Sequence, residues 1–528
     1  MLPQAPQRHE RELPPGPRDL AASASHLMAS NHFQSARLLE SLGRFARVLE
    51  QSFSLPLGNS LDKFCSVPAG ARLIRGRIAC NHQRARHAPW PRVMASSIIQ
   101  PLNGFRDVFP EEFARRDYLF STWRRVARRF GFVEYDGPTL ESLELYRKKS
   151  GGELLGQLFN FVDKGNREVS LRPEMTPTLA RMVAARAGQY KKPLKWFSIA
   201  PFFRFERTQR GRLREFYQFN ADIFGESGIG ADIELIALSI EVAREFGFTH
   251  EEVKVRLSTR DLWARFLEQN DGSPDRLDAL LPIIDKFNFE QPDKTPVPLL
   301  EQLAALEIET DAILGFVENP DLTGTSLETI QTQLQAAGYG DSIVIDPRIV
   351  RGLAYYTGTV FELFDAGATM RALAGGGRYD NLVALLSDGQ VDLPAIGLAF
   401  GDVVLSNLIE SIPAANEQMT RSIAAEAVVD LFVVIADEAN RPLALDLLTR
   451  LRRAGLRAAC PLGSMKVGKQ FQAADEQGAR FAVVIGAEWP TVKVKTLADR
   501  TETSVEQSTL IPYLQGLGLE LPTLPSQS

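Results

Sequence analysis

Side chains able to do chemistry are densest in the stretch from Pro201 to Gly225, PFFRFERTQRGRLREFYQFNADIFG. It is predicted to form two strands joined by a basic turn, Thr208 to Leu213. Alternate side chains of a strand share a face. Arg204 and Glu206 then point one way, and Phe203 and Phe205 the other. On the return strand Phe216, Gln218, Asn220 and Asp222 oppose Tyr217, Phe219, Ala221 and Ile223. One face is apolar and packable. The other gathers an arginine, carboxylates, amides and an aromatic ring, with Arg212 and Arg214 expected at the tip. A guanidinium fork binds phosphate or carboxylate oxygens. An aromatic ring among polar groups stacks on a flat base, and carboxylates receive an amino group or a hydrated magnesium ion. A solvated hairpin with scattered charges is the plain alternative. Polar residues at consecutive inward positions on both strands favour phosphate chemistry.

Two further clusters carry candidate groups. In Arg172-Pro173-Glu174-Met175-Thr176-Pro177 a carboxylate and a hydroxyl lie two apart. In an extended segment both would face one ligand and suit an α-ammonium group; capping of a helix by Thr176 ahead of Pro177 competes with that reading. Further on, IVRGLAYYTGTVFELFD sets Arg351 before a glycine and Tyr355 and Tyr356 before a strand. From the residues alone, a structural tyrosine pair in a hairpin accounts for it. LAGGGRYDNLV follows, in which Gly375, Gly376 and Gly377 permit close backbone approach to a ligand and Tyr379 offers a hydroxyl. The spacing is not a GxGxxG dinucleotide fingerprint.

The elements that must position these groups are legible in outline. With 528 residues the chain has length for three or four domains and a large core. A net charge of −5 argues against a wholesale nucleic-acid coat. No apolar run reaches the length of a membrane span. Cys65, Cys80 and Cys460 have neither metal-ligand nor disulfide spacing, as expected of an intracellular, reducing compartment. Of the six histidines only His250 lies beyond residue 94, which removes His-based nucleophilic and zinc chemistry from the body of the chain. Residues 1–93 carry thirteen Arg and Lys against six acidic residues, and prolines cluster early. We read them as an extension outside the fold, upstream of a natural start at Met94, with an organellar transit peptide as the competing reading.

A helix is predicted from Glu111, closed by Gly131, and then a strand from Phe132 to Tyr135. A strand pair surrounds Lys164-Gly165-Asn166, and a helix follows Pro177. Ala231 to Phe246 reads as a helix, Val253 to Leu257 as a strand, and about 260–340 as a module of short helices. From 427 to 523, strands such as DLFVVIA and FAVVIG alternate with helices, giving a small α/β domain.

FRFER, a short basic loop and RxFxQ resemble motif 2 of the class II aminoacyl-tRNA synthetases, and QFNADIFG is most similar to the histidyl enzymes. RPE-x-T, RGLAYYTG and GGGRYD resemble the histidine-specific signatures, with Ala354 where aspartate is usual. The resemblance implies an α+β catalytic domain over 94–425, built on an antiparallel sheet with flanking helices and a helical insertion. It also implies a C-terminal mixed-sheet anticodon-binding domain over 427–523, and a homodimer through the first helix and strand. The implied activity is ATP-dependent activation of L-histidine and its transfer to tRNA(His) in the cytoplasm. The residue roles it implies are Arg204 and Arg351 as catalytic cations, and Arg204, Glu206, Arg212 and Phe216 on ATP. Glu174, Thr176, Gln218, Asp222, Tyr355, Tyr356 and Tyr379 would surround histidine, and Arg207, Gln209 and Arg214 would meet the tRNA acceptor end. No resident metal site is implied beyond magnesium accompanying ATP. One departure is large. The arginine that grips the γ-phosphate in such enzymes aligns with Val404, with Asp402 nearby. Arg212 of the loop, with magnesium, is expected to take that load. A synthetase-like, histidine-binding regulatory subunit of ATP phosphoribosyltransferase is the alternative that Val404 favours. A chain beginning at Met94 is expected to fold and to keep whatever activity the full chain has; loss of either on removing 1–93 would overturn that division.

Overall fold

The computed structural model describes residues 99–521, apart from 150–154, 208, 210, 271, 351–355, 426–428 and 520. The segment 1–93, Met94, Arg210, Arg351, Ala354 and Tyr355 therefore lie outside the described residues. In chain order the strands are β1 (Val133–Glu134), β2 (Leu140–Ser142), β3 (Asn160–Val162), β4 (Glu168–Leu171), β5 (Leu194–Phe203) and β6 (Glu215–Phe224). Then come β7 (Val253–Thr259), β8 (Ile343–Ile345), β9 (Thr359–Asp365), β10 (Ala374–Arg378) and β11 (Ala395–Gly401). Among the described residues they form an eight-stranded sheet, β1-β5-β6-β11-β10-β9-β7-β8, and a three-stranded sheet, β2-β4-β3. The large sheet is antiparallel except where β1 meets β5 and β7 meets β8.

Its centre is the predicted hairpin. β5 and β6 pair over ten residues, from Leu194↔Phe224 to Phe203↔Glu215. The face bearing Phe197, Phe219, Ala221 and Ile223 is buried against the helices Pro110–Arg129 and Gly230–Glu245. Trp123 lies nearly parallel to Phe219, with ring centroids 5.8 Å apart. Gly131, with φ of 75°, closes the first of these helices as a left-handed residue that glycine adopts without steric cost.

One expectation about this hairpin changes. β5 stops at Phe203, so Phe205 is not a packed strand residue: it is 54% exposed, with the Arg214 guanidinium 4.3 Å over its ring. The chain leaves the ladder to build its loop, and alternation beyond the last paired residue loses its meaning. Pairing continues irregularly, with Arg204 N donating to Arg214 O at 2.9 Å and an isolated bridge between Gln209 and Arg212 closing the loop.

The short helices between β7 and β8 run from Arg260–Gln269 to Ser326–Ala336 and bury Trp263, Phe266 and Phe316 against one another. The C-terminal region holds β12 (Leu431–Ile435), β13 (Ala458–Ala459), β14 (Phe481–Ile485), β15 (Thr491–Thr496) and β16 (Glu502–Glu506) in the order β13-β12-β14-β15-β16. Its first three strands are parallel and the last two antiparallel, a mixed sheet. The fully buried Gln470 carboxamide ties the end of β12, accepting from Ile435 N at 2.8 Å and donating to Ile435 O at 2.9 Å.

Arg378 of the GGGRYD string is buried and joins the sheet to the turn after β6. It pairs with the buried Asp232 and donates to Glu226 O and Gly228 O, each at 3.0 Å. Removing one member of such a pair strands the other charge in the interior. Asp232→Ala is therefore expected to destabilise the fold by about 3–5 kcal/mol. Urea denaturation checks this, and a loss under about 1 kcal/mol would mean the pair is solvated like a surface pair.

Candidate active site

The polar face of β6 is the floor of the site. Asp222 is 2% exposed, and its Oδ1 accepts the Tyr379 hydroxyl at 2.5 Å. β11 passes directly behind it with Gly397 opposite Asp222 in register. A Cβ on Gly397 would collide with Asp222 Oδ1 and come within 2.9 Å of the Tyr379 ring, so only glycine leaves room for this contact. Asp222 Oδ2 and Asn220 Nδ2 are buried without a hydrogen-bond partner among the described residues. Such atoms call for a polar ligand or water. Burial pushes the Asp222 carboxyl up to about 7, against the opposing pull of the Tyr379 hydroxyl and the Lys149 ammonium.

Lys149, the last residue of the helix Leu143–Lys149, went unnoticed in the sequence. Its side chain is 3% exposed and its Nζ lies 2.6 Å from Glu174 Oε2. Burial lowers its pKa, while Glu174 draws it upward. Glu174 itself does not stand in an extended segment with Thr176. Met175 is already helical, and Thr176 is the first residue of the helix Thr176–Ala185. The capping alternative fails for the same reason: Thr176 lies inside the helix, and the N-cap position falls to Met175, with no side-chain bond. Arg172 holds this corner. It is 1% exposed and donates to Pro201 O at 3.0 Å and Gly137 O at 2.8 Å.

Beside this buried end opens a cavity of about 340 Å³. Arg204, Glu206, Arg212, Phe216, Gln218 and Tyr356 of the predicted set line it. Arg204 Nε donates to Pro173 O at 3.0 Å, and its guanidinium lies 5.2 Å from the Phe216 ring centroid. Arg212 Nε is 2.7 Å from Glu206 Oε2. Glu174, Thr176, Asp222 and Tyr379 are not among the lining residues; Asp222 and Tyr379 lie buried beyond it. Arg207 and Gln209 are exposed on the loop. Arg214 is not a free tip residue, since its Nε donates to Glu206 O at 3.3 Å and its backbone N to Gly104 O at 3.0 Å.

The glycine triplet meets the expectation in part. Side chains at Gly376 and Gly377 would run into Gly397 O, Phe361, Thr359 O and the Tyr356 ring, so strand packing also requires glycine there. Gly375 and Gly376 both line the cavity, whereas Gly377 does not. Asp402 is structural: its buried carboxylate accepts Tyr217 N at 3.0 Å and Arg106 Nη2 at 3.2 Å. Val404 does line the cavity, joined there by Glu362 and Arg371, which the motifs did not single out.

A carboxyl whose folded pKa lies near 7 is protonated over a range where the unfolded group, near ~4, is not. Its contribution to stability therefore declines as pH rises from ~4 to about 7 and is level above that. Asp222→Asn is expected to be more stable, relative to the parent, at pH 8 than at pH 5 in urea titrations. An equal difference at both pH values would show that Asp222 titrates in the ordinary carboxylate range.

Comparison with known proteins gives the family. The family model for histidyl-tRNA synthetase matches residues 104–402, and that for an anticodon-binding domain matches 430–517. A histidine–tRNA ligase of Opitutus terrae is 43% identical over 430 residues, covering 78% of this chain and 96% of the relative. One of Leptospira biflexa is 36% identical over 418 residues, covering 76% and 93% respectively. Among solved structures, apo S. aureus histidyl-tRNA synthetase matches with a TM-score of 0.59 at 26% identity, covering 79% of this chain and 99% of that one. With such relatives spanned almost end to end, this chain belongs to the histidyl-tRNA synthetase family.

Proposed function

We infer that the chain is a histidine–tRNA ligase, which forms histidyl-adenylate from ATP and L-histidine and transfers the histidyl group to tRNA(His). The observation that carries this is the nearness of two unlike groups of side chains along β6. One holds the buried Asp222 with Tyr379 and, off the sheet, the half-buried Glu174 with Lys149; the other is an open cavity with Arg204, Phe216 and Gln218 on its wall. The first suits a small amino acid with an ammonium group and ring nitrogens, and the second a nucleotide.

In this reading Glu174 and Thr176 receive the α-ammonium group, and Asp222, Tyr379, Gln218, Tyr355 and Tyr356 surround the imidazole and carboxylate. Phe216 stacks on adenine and Glu206 receives its amino group. Arg204, tethered through Nε to Pro173 O, keeps its terminal nitrogens for the α-phosphate. The histidine carboxylate oxygen attacks the α-phosphorus, and pyrophosphate leaves. The terminal ribose hydroxyl of tRNA then attacks the adenylate carbonyl, and AMP leaves. Neither step needs a covalent nucleophile from the protein. Both need reactants in line and charge stabilised where it builds up. Arg351 is assigned to the reacting phosphate on the strength of the resemblance.

Magnesium bound with ATP would neutralise phosphate charge. Among the described residues there is no ready cluster of three metal-ligating side chains. Glu206 and Glu362 on the cavity wall are donors of the type that holds this ion together with phosphates and water. The exposed Arg207 and Gln209 are assigned to the acceptor end, with Arg214 supporting their loop from beneath. The division into a catalytic part over 94–425 and an anticodon-binding part over 427–523, and a homodimer through the helix Pro110–Arg129 and β1, belong to the same proposal. No helix among the described residues is long and apolar enough to cross a membrane, and we place the reaction in the cytoplasm. Val404 favours the regulatory alternative, but a histidine sensor has no use for an exposed basic loop beside the site.

ATP–pyrophosphate exchange tested across the amino acids should respond to histidine alone. Histidine binding without exchange would return the regulatory reading. Arg204→Ala should lower exchange turnover by about 100-fold, roughly 3 kcal/mol of transition-state stabilisation, while histidine affinity holds. Collapse of affinity with turnover preserved would reverse the assigned roles.

A further inference from the structure

We propose that Arg371 supplies the guanidinium that grips the distal phosphate of ATP, reaching it from the segment ahead of β10 because Val404 cannot. The proposal rests on the ATP-dependent reading above and names a residue that the motifs left out.

Val404 stands in the first turn of the helix Asp402–Ser411, facing the cavity with only a branched apolar side chain to offer. Arg371 comes close to that turn through the sheet. β10 and β11 pair with Ala374 opposite Phe400, and Gly401 N donates to Leu373 O at 3.1 Å. The next residues outward, Ala372 and Arg371, therefore run beside the start of the helix. Both line the same cavity as Val403 and Val404. A cation can thus serve one spot from either of two neighbouring elements.

The mounting of Arg371 suits that task. On one side, the Asp365 carboxylate accepts Thr369 N at 2.8 Å and Met370 N at 2.9 Å. On the other, Leu373 N donates to Leu363 O at 2.8 Å. The backbone is anchored on both flanks, while the side chain itself is exposed at the cavity wall. A fixed stem with a long, planar, permanently charged end is what a phosphate contact requires.

Three other described arginines near the cavity are placed differently. Arg204 is tethered at Pro173, next to Phe216. Arg106 is bonded to the buried Asp402 carboxylate. Arg212 lies on the opposite, loop side of the cavity, 2.7 Å from Glu206. A triphosphate bent between these walls would have Arg212 over it and Arg371 against its far end.

Binding of ATP and ADP to the full chain by calorimetry, together with exchange kinetics, tests this. Arg371→Ala should weaken ATP about tenfold or more, the scale of one charge-assisted contact, and leave ADP nearly unchanged. The ATP KM should rise in parallel while the histidine KM stays within about twofold. Arg371→Ala combined with Val404→Arg should restore much of the ATP affinity by supplying the charge from the helix. Equal weakening of ATP and ADP, an unchanged ATP KM, or no recovery in the double variant would each overturn the proposal. If the unmodified chain bound neither nucleotide, the ligase reading would fall first and this one with it.

Discussion

The two-residue period of β6 is the constraint on which everything else depends. β6 is paired on both sides, with β5 along its whole length and with β11 from Gln218 to Phe224. Its odd-numbered residues Phe219, Ala221 and Ile223 enter the main core, while Gln218, Asn220 and Asp222 face the site. A slip of one residue would exchange the two sets and drive a carboxylate into the packing around Trp123 and Leu235. Burying an unpaired charge among such side chains costs more than any single contact returns. The site therefore cannot be displaced without undoing the core. Small local devices then refine what the register dictates: Gly397 behind Asp222, and Asp402 holding Tyr217 N at the loop end of the strand.

Charge around the site is balanced pair by pair. Lys149 accompanies Glu174, Arg212 accompanies Glu206, and Arg106 accompanies Asp402. Such pairs add little to stability, because desolvation offsets most of the attraction. On the proposed reading, their use is in setting the charge that substrates meet. An incoming ammonium or phosphate exchanges one partner for another and does not enter a bare field. The exchange is easiest at Arg212, which is 41% exposed, and hardest at Lys149, which is almost wholly buried.

How much of this could be read in advance follows from the range of each signal. Alternation from Phe216 to Ile223 was legible because period two is a local property of a strand. The helix Gly230–Glu245 and the strand pair around Asn166 were legible for the same reason. The meeting of Asp222 with Tyr379 was legible only by resemblance, since β11 and β10 must fold back beside β6 to make it. Phe205 misled, because alternation does not announce where pairing stops. Glu174 and Thr176 misled in a related way, for a proline-rich string does not say which residue begins the helix. Lys149 and Arg371 carried no local signal at all. A lysine at a helix end and an arginine before a glycine triplet are ordinary surface residues until the sheet brings them to a carboxylate or a cavity.

The unequal burial of the two compartments matches the unequal demands on them. The nucleotide and the tRNA end are large and must come and go, so their side of the site is an open cavity rimmed by a loop. The amino acid is small, and on the proposed reading its selection falls to the floor. There Asp222 Oδ2 and Asn220 Nδ2 have no other partner among the described residues. On that reading an amino acid of similar size that lacks ring nitrogens would leave these atoms dry and unpaired, whereas histidine would satisfy them. Discrimination by an unsatisfied buried polar group is far steeper than discrimination by fit in an apolar pocket. On the same reading, the burial that raises the Asp222 pKa is also what would make it selective.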